Sequence, residues 1–187
     1  MKTKFLIIAF ASLLLSTSCK NDKKPATEET SKPAVKENFS VELDVSAAKK
    51  DDFAIYYTED NTVAFSPERA LWTGVKGGNA DEKITFNLAQ DIVPTDIRLD
   101  FGMNKEQESV IVKNIKITYY GKDLIFKGSE FFNWFIADKQ FQTETDPAAG
   151  TLKIVKSGAE YKTPFFYPKQ ELITALAKLT APTAETK

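Results

Sequence analysis

Flat aromatic rings and planar polar side chains are the groups in this sequence whose types and spacing could do chemistry. Trp72 lies in a loop-like stretch, SPERALWTGVKGG, and Tyr56 falls on the polar phase of an alternating pattern. Arg98 and Asp100 share the polar phase of another such pattern. Sugars stack their C–H faces on flat rings, and a few placed polar groups bind their hydroxyls. These four residues are therefore a predicted glycan site.

A structural interpretation of the same residues stays open. Trp72 could plug one end of the folded domain, and Arg98 and Asp100 could simply pair with each other. Trp134 lies among several phenylalanines, which favours core packing for that side chain.

Composition removes several catalytic classes. The chain has no histidine and one cysteine, so Ser-His-Asp and Cys-His catalysis are excluded, and the commonest zinc ligand is missing. No GxGxxG or Walker A pattern occurs, and Gly77-Gly78 is typical of a turn. The formal net charge of −1 with no basic stripe argues against nucleic acid as a partner. We predict no cofactor and no enzymatic activity.

Acidic residues leave two weaker alternatives. A small hydrolase could use two facing carboxylates, and the candidates are Asp96, Asp100, Glu106 and Glu108. Calcium could bind at Asp60-Asn61 or at Asn79 and Asp81, although neither loop has the EF-hand spacing. We predict surface roles for these acids and no metal site.

The N-terminus has the three-part layout of an export signal. Lys2 and Lys4 precede the apolar stretch FLIIAFASLLL, and Ser16-Thr17-Ser18 leads to Cys19. The apolar stretch is shorter than the roughly 20 residues of a membrane span, and no later segment approaches that length. This arrangement resembles the lipobox of bacterial lipoproteins, with Ser16 where leucine is commoner. The resemblance implies that residues 1–18 are a signal peptide and that Cys19 is acylated, for example with palmitate.

The composition then predicts a tethered domain. Residues 19–38 are rich in Lys, Glu, Thr and Pro and predict a flexible tether behind the lipidated cysteine. Residues 39–179 are long enough for one domain with its own core, and residues 180–187 form a disordered tail. The expected location is the bacterial cell envelope, with the protein anchored by lipid to a membrane. We expect the outer membrane, with the domain facing either the periplasm or the cell surface.

Period-two alternation dominates the domain and predicts strands. Phe39–Val45, Phe53–Tyr57, Ile84–Leu88 and Ile97–Phe101 alternate. The run Ser109–Tyr120 is long and β-branched, with Ile115, Ile117 and Tyr119 on one face. Asp123–Lys127 follows a Gly121-Lys122 turn and completes a hairpin. The later strand candidates are Thr151–Val155 and Tyr161–Phe166, joined by a Ser157-Gly158 turn.

Two stretches break the alternation and predict helices. Ser129–Ala137 bunches aromatic residues behind a candidate N-cap, Ser129, and Pro168–Leu179 begins with a proline and aligns leucines on one face. An exposed patch at Phe131–Ile136 would favour the main alternative function, a structural or partner-binding envelope lipoprotein.

The strand succession predicts a mainly β fold, an antiparallel two-sheet sandwich with one or two short helices. Thr95–Phe126, with IRLDFG followed by VIVKNIKI, resembles strand pairs of jelly-roll modules in carbohydrate-binding and other envelope proteins. That resemblance implies a jelly-roll-like domain and a glycan as its ligand.

Overall fold

Alternating apolar side chains build two antiparallel sheets that face each other across one hydrophobic core. A computed structural model describes residues 38–138, 143–154 and 163–182, all within the unit Ala34–Lys187. The predicted signal peptide, Cys19, the tether before residue 38, the Ser157-Gly158 turn and residues 183–187 lie outside the described residues.

The first sheet has six strands in the order β4-β1-β6-β10-β9, with β7 also paired to β6. Every pairing described in it is antiparallel. Its strands are β1 (Ser40–Ala47), β4 (Asp81–Asn87), β6 (Ser109–Tyr119), β7 (Lys122–Lys127), β9 (Thr143–Asp146) and β10 (Thr151–Ile154).

The second sheet has five strands in the order β3-β2-β5-β11-β8, again antiparallel at every described pairing. Its strands are β2 (Asp51–Thr58), β3 (Ala70–Val75), β5 (Asp96–Phe101), β8 (Phe135–Ala137) and β11 (Phe165–Pro168). Among the described strands, the chain passes from one sheet to the other at the connections β1–β2, β3–β4, β4–β5, β5–β6, β7–β8, β8–β9 and β10–β11.

The predicted antiparallel two-sheet sandwich with one or two short helices is confirmed. Alternate side chains of the strands enter the core, which is why a period-two pattern revealed them. Each of the first five predicted strands contributes fully buried side chains, among them Phe39, Val41, Leu43, Phe53, Ile55, Phe86, Ile97, Leu99, Ile115 and Ile117.

Two strands share the second edge of β6. Because β1 occupies the first edge along most of β6, β7 (opposite Asn114–Tyr119) and β10 (opposite Ser109–Ile111) must lie end to end on the other. They meet at Val112, whose N–H donates to the carbonyl oxygen of Gly150 at 3.0 Å. A Cβ on Gly128 would lie 1.6 Å from the Val112 carbonyl oxygen, so only glycine fits there.

The first predicted helix is mostly wrong. Gly128–Glu130 forms a 3₁₀ turn, and the helix that follows, α1, covers only Phe131–Trp134. The next residues, Phe135–Ala137, form strand β8. The reason is tertiary, because β11 offers an edge to which these aromatic and β-branched residues pair.

The second predicted helix is correct but begins later. Helix α2 covers Gln170–Thr180 and buries Leu172, Leu176 and Leu179. Pro168 ends β11 opposite Phe135 instead of starting the helix, which suits a residue without an N–H to donate. No helix in the described part of the chain is long and apolar enough to span a membrane.

Candidate functional site

The four predicted ligand-binding residues lie on one face of the five-stranded sheet, the face turned away from the core. Phe53, Ile55 and Tyr57 of β2 point to the core, so Ala54 and Tyr56 point outward. Trp72 and Asp100 stand opposite Ala54 on its two sides, and Arg98 stands opposite Tyr56. Cross-strand partners share a face, so the structure brings together all four.

Trp72 lies on a strand, and the loop predicted for it is wrong. Edge strand β3 pairs with β2 over its whole length, and Trp72 faces Ala54 across that pair. The indole is 45% exposed and takes no part in the core, so it does not plug an end of the sandwich. The Tyr56 ring meets it edge-on, with centroids 6.2 Å apart and an interplanar angle of 75°.

Arg98 and Asp100 form a bidentate ion pair. Nε and Nη2 of Arg98 donate to Oδ1 and Oδ2 of Asp100, both at 2.8 Å. The residues are two apart on β5 and therefore point to the same side. Only 8% of Arg98 and 2% of Asp100 is exposed, so the pairing foreseen as the structural alternative is real and buried.

An aromatic cage surrounds the guanidinium. The Cζ atom of Arg98 lies 4.1 Å from the centroid of Tyr56 and 4.3 Å from that of Phe165. The rings of Phe65 and Tyr167 follow at 5.5 and 5.7 Å. These four rings, called the Arg98 cage below, attract the cation through their π faces and keep water from the ion pair.

The cage depends on a loop that folds over the sheet. Residues 59–69 connect β2 to β3, and within this loop Phe65 reaches across to Tyr167, with ring centroids 5.9 Å apart. The loop is held at its base, where the Asn61 N–H donates to Thr95 Oγ1 at 3.0 Å. It covers the ion pair and leaves Trp72 open to solvent.

Burial governs the protonation of the site. Burial raises the pKa of Asp100 to about 6, although the hydrogen bonds and charge of Arg98 oppose the rise. Burial also raises the pKa of Tyr56, with a further contribution from the Asp100 carboxylate. Burial alone would lower the pKa of Arg98, but the hydrogen bonds and charge of Asp100 outweigh this effect, so the pKa of Arg98 is raised. The pair is therefore ionised at neutral pH and sensitive to mild acid.

The structure adds residues that were not predicted. Phe65, Phe165 and Tyr167 complete the cage, and Asp52 points outward on β2, two residues before Ala54. The alternation of β2 could have indicated Asp52. Nothing local indicates Phe65, because its position depends on how the loop folds back.

The aromatic cluster after β7 is mostly buried. Phe131 and Phe135 are inaccessible, and Trp134 stacks on Phe126 with centroids 5.1 Å apart, as predicted for a packing residue. Within this stretch Ile136 is the large apolar side chain that stays exposed, at 47%. The broad exposed patch required for the partner-binding alternative is thus reduced to one side chain here.

The acidic alternatives gain no support from geometry. Asp96 and Asp100 lie four residues apart on β5, about 13 Å along an extended strand, whereas paired glycosidase carboxylates lie roughly 5–9.5 Å apart. Asp60 accepts hydrogen bonds from Thr62, and Asp81 pairs with Lys113. Within the described ranges no three acidic or thiol groups converge as metal ligands would.

Comparison with known proteins finds no matching family model, no matching curated protein and no matching solved structure. Inferences about function therefore depend on the residues described above.

Proposed function

We propose that this chain is a lipid-anchored, non-catalytic binding protein of the bacterial envelope, and that its sandwich domain binds a glycan. The observation that carries the proposal is the half-exposed indole of Trp72, standing on an open sheet face and held edge-on by Tyr56. An indole that is half exposed on a paired strand offers a flat apolar face that a ligand can cover. A sugar ring offers the flat C–H face that such a platform accepts.

The four site residues take different roles in this proposal. Trp72 and the outer edge of Tyr56 contact the sugar, because they are accessible. Arg98 and Asp100 are too buried to touch it and act as positioning residues. The guanidinium 4.1 Å from the Tyr56 centroid fixes that ring, which in turn orients the indole. A site preorganised in this way loses little entropy on binding.

The anchor is proposed from sequence. Acylation of Cys19 after removal of residues 1–18 would hold the protein on a membrane, and residues 20–38 would let the domain reach glycans beyond the headgroups. The proposal includes no cofactor, no metal and no nucleic acid.

A glycan array tests the proposal. The full chain in detergent is compared with Trp72→Ala and with Ile125→Ala, a matched control that truncates a 57% exposed side chain on β7 of the other sheet. We expect a reproducible sugar signal that Trp72→Ala removes and Ile125→Ala retains. The melting temperature of Trp72→Ala should stay close to wild type, because the indole is outside the core. An array on which wild type binds nothing contradicts the proposal.

The second candidate is a structural or partner-binding envelope lipoprotein. One observation favours it: Ile136 lies opposite Tyr167 on edge strand β8, so exposed apolar side chains stand at both edges of the face that carries Trp72. A protein partner would cover both edges, whereas a sugar would need only Trp72. Crosslinking in intact envelopes separates the two, because Ile136→Ser should abolish a protein adduct and leave sugar binding intact.

A further inference from the structure

Trp72 has a second neighbour on the side away from Tyr56. On β3 the outward residues before and after Trp72 are Ala70 and Gly74, which face Tyr56 and Asp52 of β2. Tyr56 and Asp52 are thus the two diagonal neighbours of the indole, each within about 7–8 Å by backbone position. The platform is flanked by a ring on one side and a carboxylate on the other.

Small residues keep the space between them open. Ala54 lies directly opposite Trp72, and Gly74 lies opposite Asp52. A Cβ on Gly74 would stand 3.3 Å from Oδ1 of Asp52, so the carboxylate already leans toward β3 over the glycine. Gly74 and Ala54 form a shallow floor, with the indole at one side and the Asp52 carboxylate at the other.

The Asp52 carboxylate is exposed and, among the described residues, receives no hydrogen bond or ion pair. The carboxylate of its neighbour Asp51, by contrast, is fully hydrogen-bonded within the protein. The Asp51 carboxylate is buried and accepts the N–H groups of Asp52, Met103 and Asn104 together with the Gln107 side chain. Asp51 is committed to holding the β5–β6 connection, whereas both oxygens of Asp52 remain available to a ligand.

We propose that Asp52 is a further ligand-binding residue, and that its two oxygens accept hydrogen bonds from neighbouring hydroxyls of a sugar ring stacked on Trp72. This inference rests on the proposed glycan-binding function and specifies its recognition chemistry. A carboxylate presents two acceptors side by side and matches two adjacent hydroxyl donors, and hydrogen bonds to a charged acceptor are about twice as strong as neutral ones. The ligand class is a glycan with a free vicinal diol on its stacked residue.

The test uses the full chain in detergent and a panel of neutral hexasaccharides of the gluco, manno and galacto series, each also prepared fully O-methylated. O-methylation keeps the C–H faces and removes every hydroxyl donor. Asp52→Asn is the variant, and Asp44→Asn is the matched control, since Asp44 lies on the outer face of the other sheet beside Lys83.

For the unmodified hexasaccharide that wild type binds, we expect Asp52→Asn to lower the affinity about tenfold, with Asp44→Asn unchanged. For the methylated form, the affinities of wild type and Asp52→Asn should agree within about twofold. An equal loss for both forms, or no loss for either, overturns the role of Asp52 while Trp72-dependent binding survives. If wild type binds no member of the panel, the proposed function fails and this inference fails with it.

Discussion

Replacing Arg98 with methionine removes the charge partner of Asp100 and keeps an apolar side chain inside the Arg98 cage. Two hydrogen bonds of 2.8 Å are lost, and a carboxylate that is 2% exposed has no other cation in the cage to pair with. Breaking a buried ion pair by removing one partner costs roughly 3–5 kcal/mol. We expect Arg98→Met to lose that much free energy of unfolding at pH 7.5.

The loss should depend on pH in a defined direction. Even with Arg98 present, the pKa of Asp100 rises from 3.8 to about 6, which corresponds to roughly 3 kcal/mol. The folded chain therefore holds this proton more tightly than the unfolded chain. The resulting stabilisation is complete below pH 3.8 and is lost as the pH rises through about 6. Without Arg98 the pKa should rise further, so at pH 5 Asp100 is neutral and the variant should lose less stability than at pH 7.5.

Urea unfolding followed by tryptophan fluorescence at pH 5 and pH 7.5 provides the measurement. Arg69→Met, which truncates an exposed arginine of the β2–β3 loop, is the control and should stay within about 0.5 kcal/mol of wild type. The reasoning is refuted if Arg98→Met loses no more stability than Arg69→Met at pH 7.5. A loss that is equal at the two pH values would refute the assigned role of the Asp100 proton.

Two further substitutions test features outside the cage. Gly128→Ala should lower the free energy of unfolding by about 3 kcal/mol or more, because its Cβ would clash with the Val112 carbonyl oxygen. Gly78→Ala, at an open position with φ +77°, should lower it by only about 1 kcal/mol. Urea unfolding compares the two variants, and equal losses would contradict the close contact at Gly128. Cys19→Ser should move the chain from the membrane fraction to the soluble fraction without changing sugar binding, and membrane retention equal to wild type would argue against the lipid anchor.

Strands with one apolar and one polar face could be predicted from sequence. Strands without that alternation, which form because a neighbouring strand offers an edge, could not. In β1 every second residue is apolar, and burial of one face makes that period visible in sequence. In β6 the same period runs through Val112 and resumes at Ile115, after a bulge at Lys113. The β6–β7 hairpin was also predicted, but its two-residue loop is Tyr120-Gly121, both with positive φ, one residue earlier than expected. Strand β3 was missed because apolar residues point to both of its faces, Leu71 and Val75 inward and Trp72 outward, so the sequence shows no clean alternation.

The sequence predicts which site residues share a face of each strand, but it does not predict how the strands are paired or how deeply the ion pair is buried. The order of residues along β2 and β5 is enough to place Tyr56 on the same face as Asp52, and Arg98 on the same face as Asp100, because side chains alternate along a strand. Trp72 lies beside Tyr56 because of the register between β2 and β3. That register depends on how separate segments of the chain pair, which the order of residues within one strand does not show. The burial of the ion pair depends on Phe65, and a loop that folds back over a sheet leaves no periodic pattern in the sequence.

The central position of β1 determines how the chain can fold. Val41 pairs with Phe86 of β4 on one side and with Ile117 of β6 on the other. Both edges of β1 therefore stay unpaired until segments much later in the chain have been synthesised. Pairings between distant segments close slowly, and folding dominated by them takes milliseconds to seconds. During that time β1 exposes unpaired backbone that can recruit other chains. Chaperone protection of this strand, more than of the late helix α2, would therefore govern the yield of native protein.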